Sequence, residues 1–219
     1  MIVLKCGGAV AGSSVDEILA TAAARDDVVV VHGGGPQISA ALEARGLDVA
    51  FYRGRRITCE AAIGVVRETL LTVNAQLCAA IGPRALGLSG DEIGLLALPV
   101  PELGLVGDPL PSRPQAILDA LAAGRIPVVA PLAEGPLNVN ADEAAAAIAV
   151  GLGAERLAFL TDVPGVLYDG VLASIQADDA DRLVGDGTFE GGIVPKLRAA
   201  VQAARGGVHT QIGETLVTA

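Results

Sequence analysis

The sequence predicts an α/β fold, a largely parallel sheet covered by helices on both faces. Three observations predict it. Short apolar runs such as Val28-Val29-Val30-Val31 alternate with helix-length segments of 3.6-residue periodicity. These runs lack polar alternation, as strands buried on both faces do. The 28 glycines are many for a helical bundle but suit a sheet with tight loops. Hydrophobic residues make up 52% of the 219 positions and aromatics only 2%, so the core must be built from Ala, Val, Leu and Ile. That length fits one large or two small domains.

Composition also narrows the function. A net charge of −10 argues against nucleic acid as the main partner. No apolar run approaches the ~18 residues needed to span a bilayer. The start, Met1-Ile2-Val3-Leu4-Lys5, reads as a strand and not a signal peptide. Cys6, Cys59 and Cys78 have an odd count and no metal-ligand spacing, and read as reduced core thiols of a cytoplasmic protein. Basic charge is carried by 13 arginines and only two lysines, Lys5 and Lys196, both beside glycines. In a chain that otherwise uses guanidinium, a compact ammonium is a specific choice.

Residues 2–4 form the first buried strand, followed by Lys5 and the Gly7-Gly8 turn. Glycine lets backbone N–H groups approach an anion closely, although the same residues also suit a plain strand-to-helix turn with a solvated lysine. Ser13 or Ser14 caps a helix running to Ala24. A strand over 28–31 leads into His32-Gly33-Gly34-Gly35-Pro36-Gln37 and a helix over 37–45. Three glycines between a buried strand and a helix N-terminus can cradle phosphate. His32 reads as a hydrogen-bond donor that orders this loop. Arg53-Gly54-Arg55-Arg56-Ile57-Thr58 precedes a helix over 60–80, with Thr58 as its cap and Ile63, Val66, Leu70, Val73 and Leu77 as its buried stripe. Arg56, just ahead of the helix, suits capture of a carboxylate. Arg53 and Arg55 read as a solvated basic turn.

Residues 86–91 look like a strand with a glycine-rich exit. The proline-rich stretch 99–114 reads as extended and irregular, an edge ribbon at most. A helix over 115–123 and a strand over 126–130 follow, and 131–136 is the candidate domain junction. Asn140 or Asp142 caps an alanine-rich helix over 142–152, so polar groups gather at its positive end. That helix feeds a strand over 156–160 and then Thr161-Asp162-Val163-Pro164-Gly165-Val166-Leu167. Loops at strand C-termini are where such sheets bind ligands. A weak helix near 178–184, a loop over 185–195, a last helix over 196–204 and one or two short strands over 208–219 complete the chain.

Six blocks fall in one order: Lys5-Cys6-Gly7-Gly8, His32 to Gln37, Arg56-Ile57-Thr58, Asn138-Val139-Asn140-Ala141-Asp142, Thr161 to Leu167, and Gly191-Gly192-Ile193-Val194-Pro195-Lys196. Together they resemble the amino acid kinase family, specifically its N-acetylglutamate-phosphorylating branch, from residue 2 to about 205. The resemblance implies a three-layer αβα sandwich with a central, mostly parallel sheet and two lobes. Residues 1–132 would bind the acyl amino acid and dimerise, and residues 133–219 would bind the nucleotide. It implies that ATP phosphorylates the side-chain carboxylate of N-acetyl-L-glutamate, a step of arginine biosynthesis. Mg²⁺ would arrive with ATP, since no dedicated metal cage is visible.

The same resemblance assigns roles. Lys5 and Lys196 flank the transferring phosphoryl group, and Asp142 holds both ammonium groups. The amides of Gly7, Gly8, Gly34 and Gly35 take phosphoryl and acceptor oxygens. Arg56 and Asn138 bind the α-carboxylate and its neighbouring groups. Asp162, Val163, Pro164, Gly165, Val166 and Leu167, with Thr188, Phe189 and Glu190, line the nucleotide pocket. Relative to the family, the first helix, residues 90–103, the hairpin before Asn138 and the end after Gly207 are short. The first strand begins at Ile2, without the extra N-terminal helix through which arginine-inhibited members form hexamers. The resemblance therefore implies a homodimer that arginine does not inhibit. Two other readings compete. A kinase for glutamate or aminoadipate on a small acidic carrier protein is opposed by the net charge of −10. A non-catalytic nucleotide- or amino-acid-binding paralogue is opposed by the retained Lys5, Lys196, Arg56 and Asp142.

Overall fold

The computed structural model describes residues 1–7, 13–161 and 163–219, without the Ser13 side chain. Gly8, Asp162 and the Ser13 cap therefore lie outside the described residues. The first half of the chain runs β1 (Ile2–Cys6), α1 (Ser13–Ala24), β2 (Val28–His32), α2 (Gly35–Glu43), β3 (Phe51–Tyr52), β4 (Arg55–Arg56), α3 (Glu60–Ile81), β5 (Ala85–Ser89), α4 (Gly90–Ile93), β6 (Ala97–Pro99) and β7 (Val106–Pro109). The second half runs α5 (Gln115–Ala122), β8 (Ile126–Ala130), β9 (Leu132–Ala133), β10 (Leu137–Val139), α6 (Ala141–Leu152), β11 (Arg156–Phe159), β12 (Ser174–Gln176), α7 (Ala177–Gly185), α8 (Ile193–Arg205), β13 (His209–Ile212) and β14 (Thr215–Thr218).

Eight strands form one sheet in the order β12-β14-β13-β11-β1-β2-β8-β5. From β13 to β5 every neighbour is parallel, and β14 turns back against β13. The main sheet runs unbroken through both halves of the chain, because β1 is bonded to β2 on one side and β11 on the other. Strand alternation sorts its side chains. Val3, Val29, Val31, Val129 and Leu157 pack with the helices α6 and α8. Ile2, Leu4, Val28, Val30 and Val128 pack with Ile18 and Ala22 of α1 and with Leu77 and Ile81 of α3. The result is a three-layer αβα sandwich, as the apolar strand runs predicted. No helix among the described residues is long and apolar enough to cross a membrane.

The stretch 99–114 is more ordered than its prolines suggested. It contributes β7, an inner strand of a second sheet with the order β6-β7-β10-β9. Residues 131–136, the expected junction, enter an antiparallel hairpin in which Leu137 pairs with Ala133. Cys59 is exposed, Cys78 is half-buried and only Cys6 sits in the core, so the reading of three core thiols is corrected. Cys59 also starts its helix without a side-chain cap, and Thr58 donates instead to the carbonyl of Arg56 at 2.9 Å.

Helix α6 is rich in alanine and carries one glycine, Gly151, where its surroundings leave no room for a side chain. A Cβ added at Gly151 would lie 2.2 Å from the carbonyl oxygen of Ser112, a backbone atom that cannot rotate away. Gly151→Ala should therefore cost about 1–3 kcal/mol through overpacking. Thermal unfolding should show a Tm lower by several degrees, and an unchanged Tm would mean that the 112 segment yields.

Candidate active site

The polar centre follows from the same alternation. Lys5 shares the face of Val3 and stands opposite Val31 and Phe159 on the neighbouring strands, near the C-terminal ends of β1, β2 and β11. That face is covered by α6 and α8. Asn140 caps α6 by accepting from the amides of Asp142 (2.8 Å) and Glu143 (3.2 Å). This fixes Asp142 in the first turn, where the helix end favours a carboxylate. Its Oδ1 lies 2.5 Å from Lys5 Nζ and 3.2 Å from Lys196 Nζ. Lys196 comes from the first turn of α8, which starts at Ile193, three residues earlier than predicted. Its ammonium also sits 5.4 Å from the centre of the Phe159 ring.

Two ammonium groups share one carboxylate in a nearly dry setting. Burial pushes the Asp142 carboxyl up, but the charges of Lys5 and Lys196 outweigh it and hold the group below its ordinary value of 3.8. Burial and the neighbouring Lys5 charge bring the Lys196 ammonium below its ordinary value, against the pull of Asp142. One positive charge is left over, so the site suits an anion. Because the Asp142 value is depressed on folding, its stabilisation is fully present above the unfolded value and lost as pH falls through the folded one. The wild-type chain should lose this contribution only below pH 3.8, and Asp142→Asn should flatten that part of the acid-unfolding curve. Parallel acid titrations of the two proteins test this, and superimposable slopes would exclude it.

Beside this centre is a cavity of about 210 Å³, whose lining includes Lys5, Gly7, Gly34, Gly35, Arg56 and Asn138. The Gly34-Gly35 turn opens α2, which has no side-chain cap, so its positive end faces the cavity. An added Cβ at Gly35 meets nothing within 4 Å, which leaves the backbone accessible to a ligand. Arg56 donates from one terminal nitrogen to Gly35 O (2.9 Å) and Ser39 Oγ (2.8 Å), and stacks over Phe51 at 4.6 Å. Its other terminal nitrogen is buried with no protein partner. Arg56 lines the cavity, and an orphaned guanidinium nitrogen is costly unless a ligand supplies an acceptor. Asn138 donates to Thr58 Oγ1 at 3.0 Å, so Thr58 links two of the pocket's walls.

His32 is buried behind the glycines. Its Nδ1 bonds Gly33 O at 2.9 Å, and Nε2 faces the Asn74 amide at 3.1 Å. Asn74 also donates to Val128 O at 2.8 Å, so Nε2 is the acceptor and Nδ1 carries the proton. Burial lowers the imidazole's proton affinity, so the ring is a neutral loop-ordering donor, as read from the sequence.

Not every expected site residue faces open space. Val163, Pro164 and Leu167 are exposed and Gly165 is buried. Thr188 is exposed and bonded to Asp186, and Glu190 is exposed. Val166 and Phe189 are buried, with both side chains in the hydrophobic core. Arg55 is corrected. It is no solvated turn residue, because it pairs with Asp108 and with Glu143, the latter at 3.1 Å. Arg53 is exposed and stacks on Tyr52 at 5.3 Å. Glu143 went unread as a partner of Arg55 because the pairing joins residues 88 apart in sequence.

The profile of the amino acid kinase family matches residues 1–213. The chain belongs to the amino acid kinase family. An acetylglutamate kinase of Rubrobacter xylanophilus is 41% identical over 221 residues, covering 96% of this chain and 87% of the relative. The protein smu.665 of Streptococcus mutans shares the fold with a TM-score of 0.90 and 29% identity, covering 99% of this chain and 98% of the other. A carbamate kinase of Giardia lamblia, solved with AMP-PNP, shows the same fold at a TM-score of 0.74 and 17% identity, covering 99% of this chain and 97% of the other. The amino acid kinase fold thus accounts for the sandwich.

Proposed function

We infer that the chain is a kinase that transfers the γ-phosphoryl group of ATP to the side-chain carboxylate of N-acetyl-L-glutamate, giving N-acetylglutamyl 5-phosphate for arginine biosynthesis. The observation that carries this reading is the two-lysine, one-aspartate centre beside a pocket with an orphaned Arg56 nitrogen, in a chain about 40% identical to acetylglutamate kinases over most of its length.

In an in-line transfer the carboxylate oxygen attacks phosphorus and ADP leaves, while charge spreads over the phosphoryl oxygens. Lys5 and Lys196 stabilise that charge from two sides, and Asp142 keeps both ammonium groups in place. The amides of Gly7, Gly34 and Gly35 hold phosphoryl and acceptor oxygens, with the open end of α2 adding a favourable field. Arg56 takes the α-carboxylate through its unpaired nitrogen, and Asn138 contacts the neighbouring groups. The lip Val163 to Leu167 and the segment 188–190 enclose the nucleotide. In this division residues 1–132 hold the acyl amino acid and residues 133–219 hold ATP. Mg²⁺ would enter with ATP and neutralise charge on its phosphates, which fits a centre whose one carboxylate is already committed to lysines.

Trapping the acyl phosphate with hydroxylamine tests the reading. Hydroxamate should form with N-acetylglutamate and ATP, and not with glutamate or aminoadipate. A preference for either of the latter would move the chain to another branch. The assembly is proposed to be a twofold homodimer, the commonest closed arrangement. Light scattering should give twice the chain mass of 21.9 kDa.

A further inference from the structure

The ribbon β3–β4 has two faces with different neighbours. Its register pairs Phe51 with Arg56 and Tyr52 with Arg55, so the members of each pair share a face. Phe51 and Arg56 line the 210 Å³ substrate cavity. On the other side lies a larger cavity of about 550 Å³, lined by Tyr52, Ile57, Val100 and Leu103 together with Arg55 and Glu143. Arg55 borders both cavities. Glu143 borders the larger one while its neighbour Asp142 borders the smaller. What stands between them is an ion cluster. Arg55 reaches Glu143 with two nitrogens at 3.2 and 3.1 Å, and also pairs with Asp108 of β7. Glu143 Oε2 is buried and has no partner, so the cluster between the two cavities carries an unsatisfied oxygen.

The pose proposed above, on which this inference rests, leaves one arm of the substrate unassigned. With the reacting carboxylate at Lys5 and the α-carboxylate at Arg56, the acyl group is left the wall containing Val106, Asn138 and Val139. Strand β7 continues from Val106 to Asp108, the partner of Arg55. We propose that the Arg55–Glu143–Asp108 cluster is the stop that limits the acyl group to a short one, and that removing it joins the pocket to the larger cavity beyond. Arg55 and Glu143 are thus specificity-determining residues, and Ile57, Val100 and Leu103 of the cavity behind them, which Arg53, Glu102 and Arg198 also line, would meet the tail of a longer acyl chain.

The test compares kcat/KM for N-acetyl- and N-hexanoyl-L-glutamate. The wild-type chain should strongly prefer acetyl. In Arg55→Ala/Glu143→Ala the hexanoyl-to-acetyl ratio should rise at least about 10-fold, the scale of one well-seated methylene. The ratio removes any general loss from a loosened ribbon. Glu143→Ala alone, which leaves Arg55 on Asp108, should shift the ratio in the same direction and covers the case in which the double variant fails to fold. Adding Val100→Trp, which fills the outer cavity, should abolish the gain while acetyl turnover stays at the level of the opened variant. An unchanged ratio in a folded variant, or a wild-type chain that accepts both substrates equally, overturns the proposal. Absence of wild-type turnover on N-acetylglutamate would instead overturn the underlying function.

Discussion

Lys196→Ala should lower kcat by about 10²–10³, the effect of removing one preorganised donor to a transition state. Lys5→Ala should do the same. The reason lies in the shared oxygen: both ammonium groups bind Asp142 Oδ1, so each is fixed before ATP arrives. The sharing also predicts what happens to folding. Either single variant leaves the buried carboxylate with one cation, so unfolding should change little. The double variant strands a buried negative charge, a defect worth about 3–5 kcal/mol. Hydroxamate kinetics with thermal unfolding on all three proteins separate catalysis from stability. Wild-type-like kcat in either single variant would falsify the assignment.

Arg56→Lys should raise KM for N-acetylglutamate by about 10–100-fold, the loss of one charge-assisted hydrogen bond of roughly 1.5–3 kcal/mol. KM for ATP should move far less. Arg56 makes its contact to a carboxylate that is the same in ground and transition states, so the penalty falls on binding rather than on kcat. Lysine keeps the charge but cannot reach Gly35 O, Ser39 Oγ and a substrate oxygen at once with a planar fork. A larger change in KM for ATP would put Arg56 on the nucleotide side and undo the division of the chain into two ligand-binding halves.

The sequence made some of this visible and hid the rest for identifiable reasons. Valine runs without polar alternation can only be interior strands, so the parallel sheet was legible. The scarcity of lysine singled out Lys5 and Lys196, and the structure brings both to one carboxylate. The cap at Asn140 was legible because it acts within three residues. The short strands β3, β4, β9 and β10 were not, since two- and three-residue strands carry no periodicity. Arg55 looked solvated for a related reason. Its partners Asp108 and Glu143 approach only after the second sheet and α6 have docked. Thr58 sits beside the helix start, yet a local bond to Arg56 O and a tertiary one from Asn138 claim its hydroxyl.

The placement of Lys5 on β1 has a consequence for hydrogen exchange. Strand β1 is bonded on both sides and wholly buried, so its amides should exchange only through global unfolding. The ribbon that carries Arg56 is two residues wide on each strand, with Phe51 and Tyr52 more than half exposed. Its amides, including that of Ile57 bonded to Ala50 O, should exchange through local opening. Lys5, proposed to meet the phosphoryl group, thus belongs to the part expected to exchange slowest, and Arg56, proposed to grip the acceptor, to a part expected to exchange fast. Acceptor binding should slow exchange in the ribbon and leave β1 unchanged, separating the part of the protein that recognises from the part that reacts.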